Sequence, residues 1–106
     1  MNFEICSKGV HMTNKLQDFV ERKLQYALGR FSHRIQNVRV LLTDINGPKG
    51  GEDIECHIKA NLGRSGAITI KETREDAFSA VARASQRVSQ TLSRQIARRH
   101  SMRRGR

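Results

Sequence analysis

Three stretches of this chain, NVRVLLTDI (37–45), DIECHIKAN (53–61) and AITIKE (67–72), alternate apolar with polar side chains. Successive residues of a strand point to opposite faces, so each run can bury only one of its two sides. Val38, Val40 and Leu42 turn inward in the first, Ile54, Cys56 and Ile58 in the second, Ile68 and Ile70 in the third. A shorter run, NFEICS, sets Phe3 and Ile5 against Asn2, Glu4 and Cys6. Strands of this kind make a sheet that needs a cover on one face alone.

Two helical stretches can supply that cover. Thr13 is placed to cap a helix through NKLQDFVERKLQYALGRF, with Leu16, Phe19, Val20, Leu24, Ala27 and Phe31 recurring at helical spacing. Gly29 weakens its last turn and helps to end it. TRED at 73–76 fits a capping box, with Thr73 covering a free amide and Asp76 reaching back, so a second helix is expected to start there. Phe78, Val81, Val88, Leu92 and Ile96 form its apolar side, turned to the sheet. NGPKGGED and LGRSG read as turns between strands. The expected order is β-α-β-β-β-α, an α+β two-layer sandwich of four strands with both helices on one face. One domain is expected over residues 1–97, followed by a basic tail at 98–106.

Charge then asks what the helices do with their outer faces. Twenty Lys and Arg stand against ten Asp and Glu in 106 residues, and eight arginines follow Asp76, the last acidic residue. On a helix Arg83, Arg87, Arg94 and Arg98 fall within an arc of roughly 60°. In the first helix Lys15, Arg22, Tyr26 and Arg30 gather away from the apolar stripe, with Lys23 at its margin. A merely solvated face mixes signs and gains pairing between neighbours one turn apart. After position 76 no such partner exists within the helix, so the arc is read as a polyanion surface. Arginine without lysine suits phosphate, because its planar fork binds oxygens in pairs. A single exposed tyrosine is a poor platform for stacking a strand of bases, so the shape of a folded RNA is the expected target.

Other chemistry is set aside. No apolar run approaches the ~20 residues of a bilayer span, no signal-peptide segment opens the chain, and a membrane-surface helix would want tryptophan, which is absent. Two cysteines without a secretory signal are read as free, reduced thiols in a cytoplasm, Cys6 and Cys56 both in or near the core. Cys56 and His57 are consecutive on a strand and point apart, so no metal site is expected. Asp44, Glu52, Asp53 and Glu55 read as solvated charges, and GPKGGED as a hairpin connection rather than the Gly-Gly-Gln loop of a peptide release factor. No Gly-rich stretch ends in the Gly-Lys-Ser or Gly-Lys-Thr of a phosphate loop. The chain is read as a binding protein without cofactor, small-molecule substrate or enzymatic activity.

VHMTNKLQDFVERKL and EDAFSAVARASQRVSQTLSRQIARRH, with the order of elements around them, resemble the short ribosome hibernation promoting factors, also called ribosome-associated inhibitor or protein Y proteins. The resemblance implies a fold similar to double-stranded RNA-binding domains. It also implies binding to small-subunit rRNA of an idle ribosome, in the channel of mRNA and tRNA, by a protein that is a monomer off the ribosome. Translation would be inhibited in stress or stationary phase by occlusion. The family's basic positions map onto Lys23, Arg87, Arg94 and Arg98. Arg22 is basic in some relatives, Gln90 departs from a common Arg, and Arg83 would compensate. Some relatives carry a second, dimerising domain, and this chain is expected to lack one. Two rival readings are a general double-stranded RNA binder and a protein-interaction module acting on a transcription factor.

Overall fold

A computed structural model describes residues 1–46 and 53–104, with side chains through Arg98. The elements are β1 (Asn2–Lys8), α1 (Asn14–Leu28), a 3-10 turn (Gly29–Arg34), β2 (Asn37–Asp44), β3 (Ile54–Asn61), β4 (Ala67–Arg74) and α2 (Ala77–Arg104). This is the expected β-α-β-β-β-α order. The connection read from NGPKGGED lies mostly outside the described residues.

The strands lie side by side in chain order. β1 runs parallel to β2, as a strand joined to its neighbour through a helix must, while β2–β3 and β3–β4 are antiparallel. Register puts Phe3 beside Val38, Ile5 beside Val40, Val40 beside Ile58 and Ile58 beside Ile70. The inward residues named from alternation therefore form continuous apolar rows across the sheet. Ile58, Val40 and Leu42 are fully buried, and Phe3, Ile5 and Ile54 pack against the core from its margins.

Both helices lie on this one face. Thr13 sits in an extended conformation and its hydroxyl accepts the Leu16 amide at 3.1 Å, which starts α1 where the sequence placed it. α1 buries Leu16, Val20, Leu24 and Leu28, a strict four-residue repeat. Leu28 was outside the stripe read from spacing, whereas Phe19 and Ala27 are only partly buried. The stripe is rotated because α2 lies alongside α1, and the seam between the helices takes up Phe19 and Ala27. Gly29 does not end α1 by turning left-handed: its φ is −55°, and the backbone tightens into the 3-10 turn that drops Phe31 into the core.

The start of α2 differs from expectation. Thr73 and Arg74 still belong to β4, paired with Glu55 and Ile54, so no capping box forms at 73. Asp76 is itself the cap, its carboxylate accepting the Ser79 amide at 2.8 Å and the Ser79 hydroxyl at 2.9 Å. Sheet pairing claimed the two residues that local sequence offered to the helix. α2 buries Ala80, Val81, Ala84, Ser85, Val88 and Leu92. Phe78, expected on the face toward the sheet, instead packs edge-on against Phe19, ring centres 5.0 Å apart, and stays 36% exposed.

Candidate nucleic-acid interface

The arginines of α2 do not share one environment. Arg83, Arg94 and Arg98 are exposed. Arg87, one turn beyond Arg83, leans over the edge of the sheet. Its guanidinium donates to the Glu72 carboxylate and to the Lys71 carbonyl, both at 2.8 Å. Arg74 donates to the other Glu72 oxygen at 2.9 Å. No acidic partner exists within α2 after position 76, but β4 supplies Glu72 to Arg87 from outside the helix. Alternation put residue 72 on the covered side of β4, where the helix stands above it.

Glu72 is only 14% exposed. Burial pushes its carboxyl upward, but hydrogen bonds from Arg87 and Arg74, with their charges, outweigh this and hold it below the usual range. Asp76 is also held low, chiefly by the Ser79 amide and hydroxyl. Both stay ionised at neutral pH.

In α1, Arg22 and Lys23 are exposed. The Lys23 ammonium lies 5.5 Å from the centre of the Phe19 ring, its stem along the seam. Tyr26, one turn on, is 91% exposed. Facing it across the seam, α2 presents Ser79, Ala82, Ser85, Gln86, Ser89 and Gln90. The three serines and Ala82 are too small to fill the space between two helix backbones. They leave an open groove of about 640 Å³, with Lys23, Tyr26, Arg74 and Arg83 around its mouth. A smaller hollow of about 430 Å³ is lined by Phe19, Arg22, Lys23 and Tyr26.

The six positions picked from the sequence therefore fall into three sets. Arg22, Lys23 and Arg83 gather about the seam, Arg94 and Arg98 lie farther along α2, and Arg87 is drawn into an ion pair. Tyr26 and Ser85 were not chosen. Tyr26 was visible as a lone exposed aromatic, but its neighbour across the seam was not. Ser85 lies on the apolar side of α2, 2% exposed, and its hydroxyl has no hydrogen-bond partner among the described residues.

The thiols separate as well. Cys56 is buried under the helices, and burial pushes its thiol up to about 12, with Glu55 and Glu72 adding to the effect. Cys6 was expected in or near the core and is exposed. It stands on the open face of the sheet, in a row with Leu41, His57 and Lys71. A sheet thus stands between the two thiols, and His57 faces away from Cys56. Among the described residues no helix is long and apolar enough to cross a membrane.

Comparison with known proteins adds to this geometry. No curated protein matches the chain. Among solved structures, a ribosomal subunit interface protein from Coxiella burnetii superposes with a TM-score of 0.76 at 17% identity, over 92% of this chain and 99% of that one. The N-terminal domain of Thermus thermophilus Protein Y superposes with a TM-score of 0.72 at 22% identity, over 89% and 98%. At these identities the likeness is one of fold. The model of the sigma 54 modulation protein / S30EA ribosomal protein family matches residues 3–101. With helices and strands in the order the resemblance implies, and the family model matched over nearly the whole length, the chain belongs to the sigma 54 modulation protein / S30EA ribosomal protein family.

Proposed function

We propose that this protein binds the small ribosomal subunit in the channel used by mRNA and tRNA, and silences translation by occupying it. The observation that carries the reading is the exposed cationic side of α2, where Arg83, Arg94 and Arg98 stand free of ion pairs among the described residues. Arg22 and Lys23 of α1 extend it, and Arg87 joins once RNA phosphate competes with Glu72. The family membership, and the ribosomal subunit interface protein of like fold, support a ribosomal partner. Binding is driven by phosphate contacts and counterion release, so it weakens steeply with salt. The protein contributes a rigid wedge and makes or breaks no bond.

Co-sedimentation with purified small subunits tests this. Binding that falls with salt, and that mRNA together with tRNA displaces, is the expected result. Equal affinity for small subunits and for any RNA duplex would overturn it in favour of a general duplex binder.

A further inference from the structure

Phosphate contacts explain the arginines but not the groove beside them. A cleft of about 640 Å³ is within the range of ~300–1,000 Å³ that holds small ligands. Its lining is unusual for a gap between helices. Ser85, almost fully buried, carries a hydroxyl without a partner, where a buried polar group is ordinarily satisfied. Gln90 brings an amide that can both donate and accept, and Gln86, whose amide oxygen accepts from the Arg83 guanidinium at 2.9 Å, keeps its NH2 to donate. Tyr26 stands 91% exposed at the lip, an aromatic ring that the fold itself leaves uncovered. Lys23 and Arg83 put a cation on each side of the opening. An apolar ligand would waste the amides and the cations, and a bare phosphate would leave the ring unused.

We propose that the groove between α1 and α2 receives one unstacked nucleotide, its base stacked on Tyr26 and its phosphate between Lys23 and Arg83. The amides of Gln86 and Gln90 face the edge of the base, and the Ser85 hydroxyl at the floor gains the polar partner it lacks. One ring holds one base, so the protein recognises a single extruded residue rather than a single strand. This rests on the RNA-binding reading above and adds a local feature of the target to it. The same chemistry belongs to a free nucleotide and to a residue bulged out of an RNA stem.

The test uses the whole chain and two RNA hairpins that differ only by one unpaired adenosine in the stem, followed by fluorescence anisotropy. The bulged hairpin is expected to bind about tenfold more tightly, the range of one base stacked on an aromatic ring. Tyr26→Ala should erase that preference without changing affinity for the perfect stem, and Tyr26→Phe should keep it. Ser85→Ala should reduce it. Adenosine monophosphate as competitor separates the sources: displacement of the bulged hairpin assigns a free nucleotide, and none assigns the bulged residue. Equal binding of the two hairpins, or a Tyr26→Ala variant weakened equally on both, would overturn the proposal. Neither result touches the salt dependence contributed by Arg94 and Arg98, so the groove and the cationic face fail or stand separately.

Discussion

Glu72 is held by two arginines, one from its own strand and one from α2. Its folded form favours the carboxylate, so this contribution to stability is complete above its ordinary value near 4.5 and is lost as pH falls through the lower folded value. Thermal melts are expected to show stability falling below about pH 4.5, with Glu72→Gln flattening that part of the profile. The same substitution frees Arg87 and Arg74, so it should tighten RNA binding a few-fold while lowering stability at neutral pH. An affinity that drops instead would mean that Glu72 holds Arg87 in the pose that RNA needs. Ser85 predicts the opposite sign: removing a buried, unpartnered hydroxyl should raise the stability of the free protein by about 1 kcal/mol, measured by urea unfolding. A Ser85→Ala variant that is destabilised would place a hidden structural bond at that hydroxyl. Sequence could assign neither residue, since position 72 read as the end of a strand and position 85 was a serine outside the apolar stripe named for the helix. What each of them meets comes from a different element.

The elements themselves were largely legible. Alternation in β2, β3 and β4 and the helical spacing of Leu16, Val20 and Leu24 in α1 are properties of the chain alone, and one-sided burial translates them directly into layers. The cap at Thr13 was legible for the same reason, being a contact three residues long. The start of α2 was not, because Thr73 and Asp76 both offer capping chemistry and only pairing with β3 decides between them. Asp76→Ala should therefore lower the melting temperature and fray the first turn of α2, whereas Thr73→Ala should leave the helix intact. Amide exchange at Ser79 and Ala80 distinguishes the two, and protection lost in Thr73→Ala would restore the earlier boundary. Within α1, Leu24→Ala should cost about 2–5 kcal/mol, since that side chain is fully buried between helix and sheet.

At the scale of the molecule, the two helices differ in what supports them. Eight-residue strands span about 26 Å, whereas the 28 residues of α2 span about 42 Å. The long axis of the protein is 56 Å, against 22 and 20 Å across. Leu92 is the last fully buried position of α2 and Ile96 the last that packs on the core among the described residues. Arg94 straddles that limit and Arg98 lies past it. Replacing either with Ala should reduce the slope of log affinity against log salt by about one unit, while Arg87→Ala should reduce it by less, since that charge is already compensated. Equal losses at all three positions would contradict the pairing with Glu72. Toward the end of α2, backbone hydrogen bonding competes with the mutual repulsion of Arg94 and Arg98, one turn apart on the same side. Any multivalent anion that neutralises those guanidinium groups tips the balance toward the coil's ordered form, so ellipticity at the far end of α2 becomes a readout of occupancy even for a partner that touches nothing else.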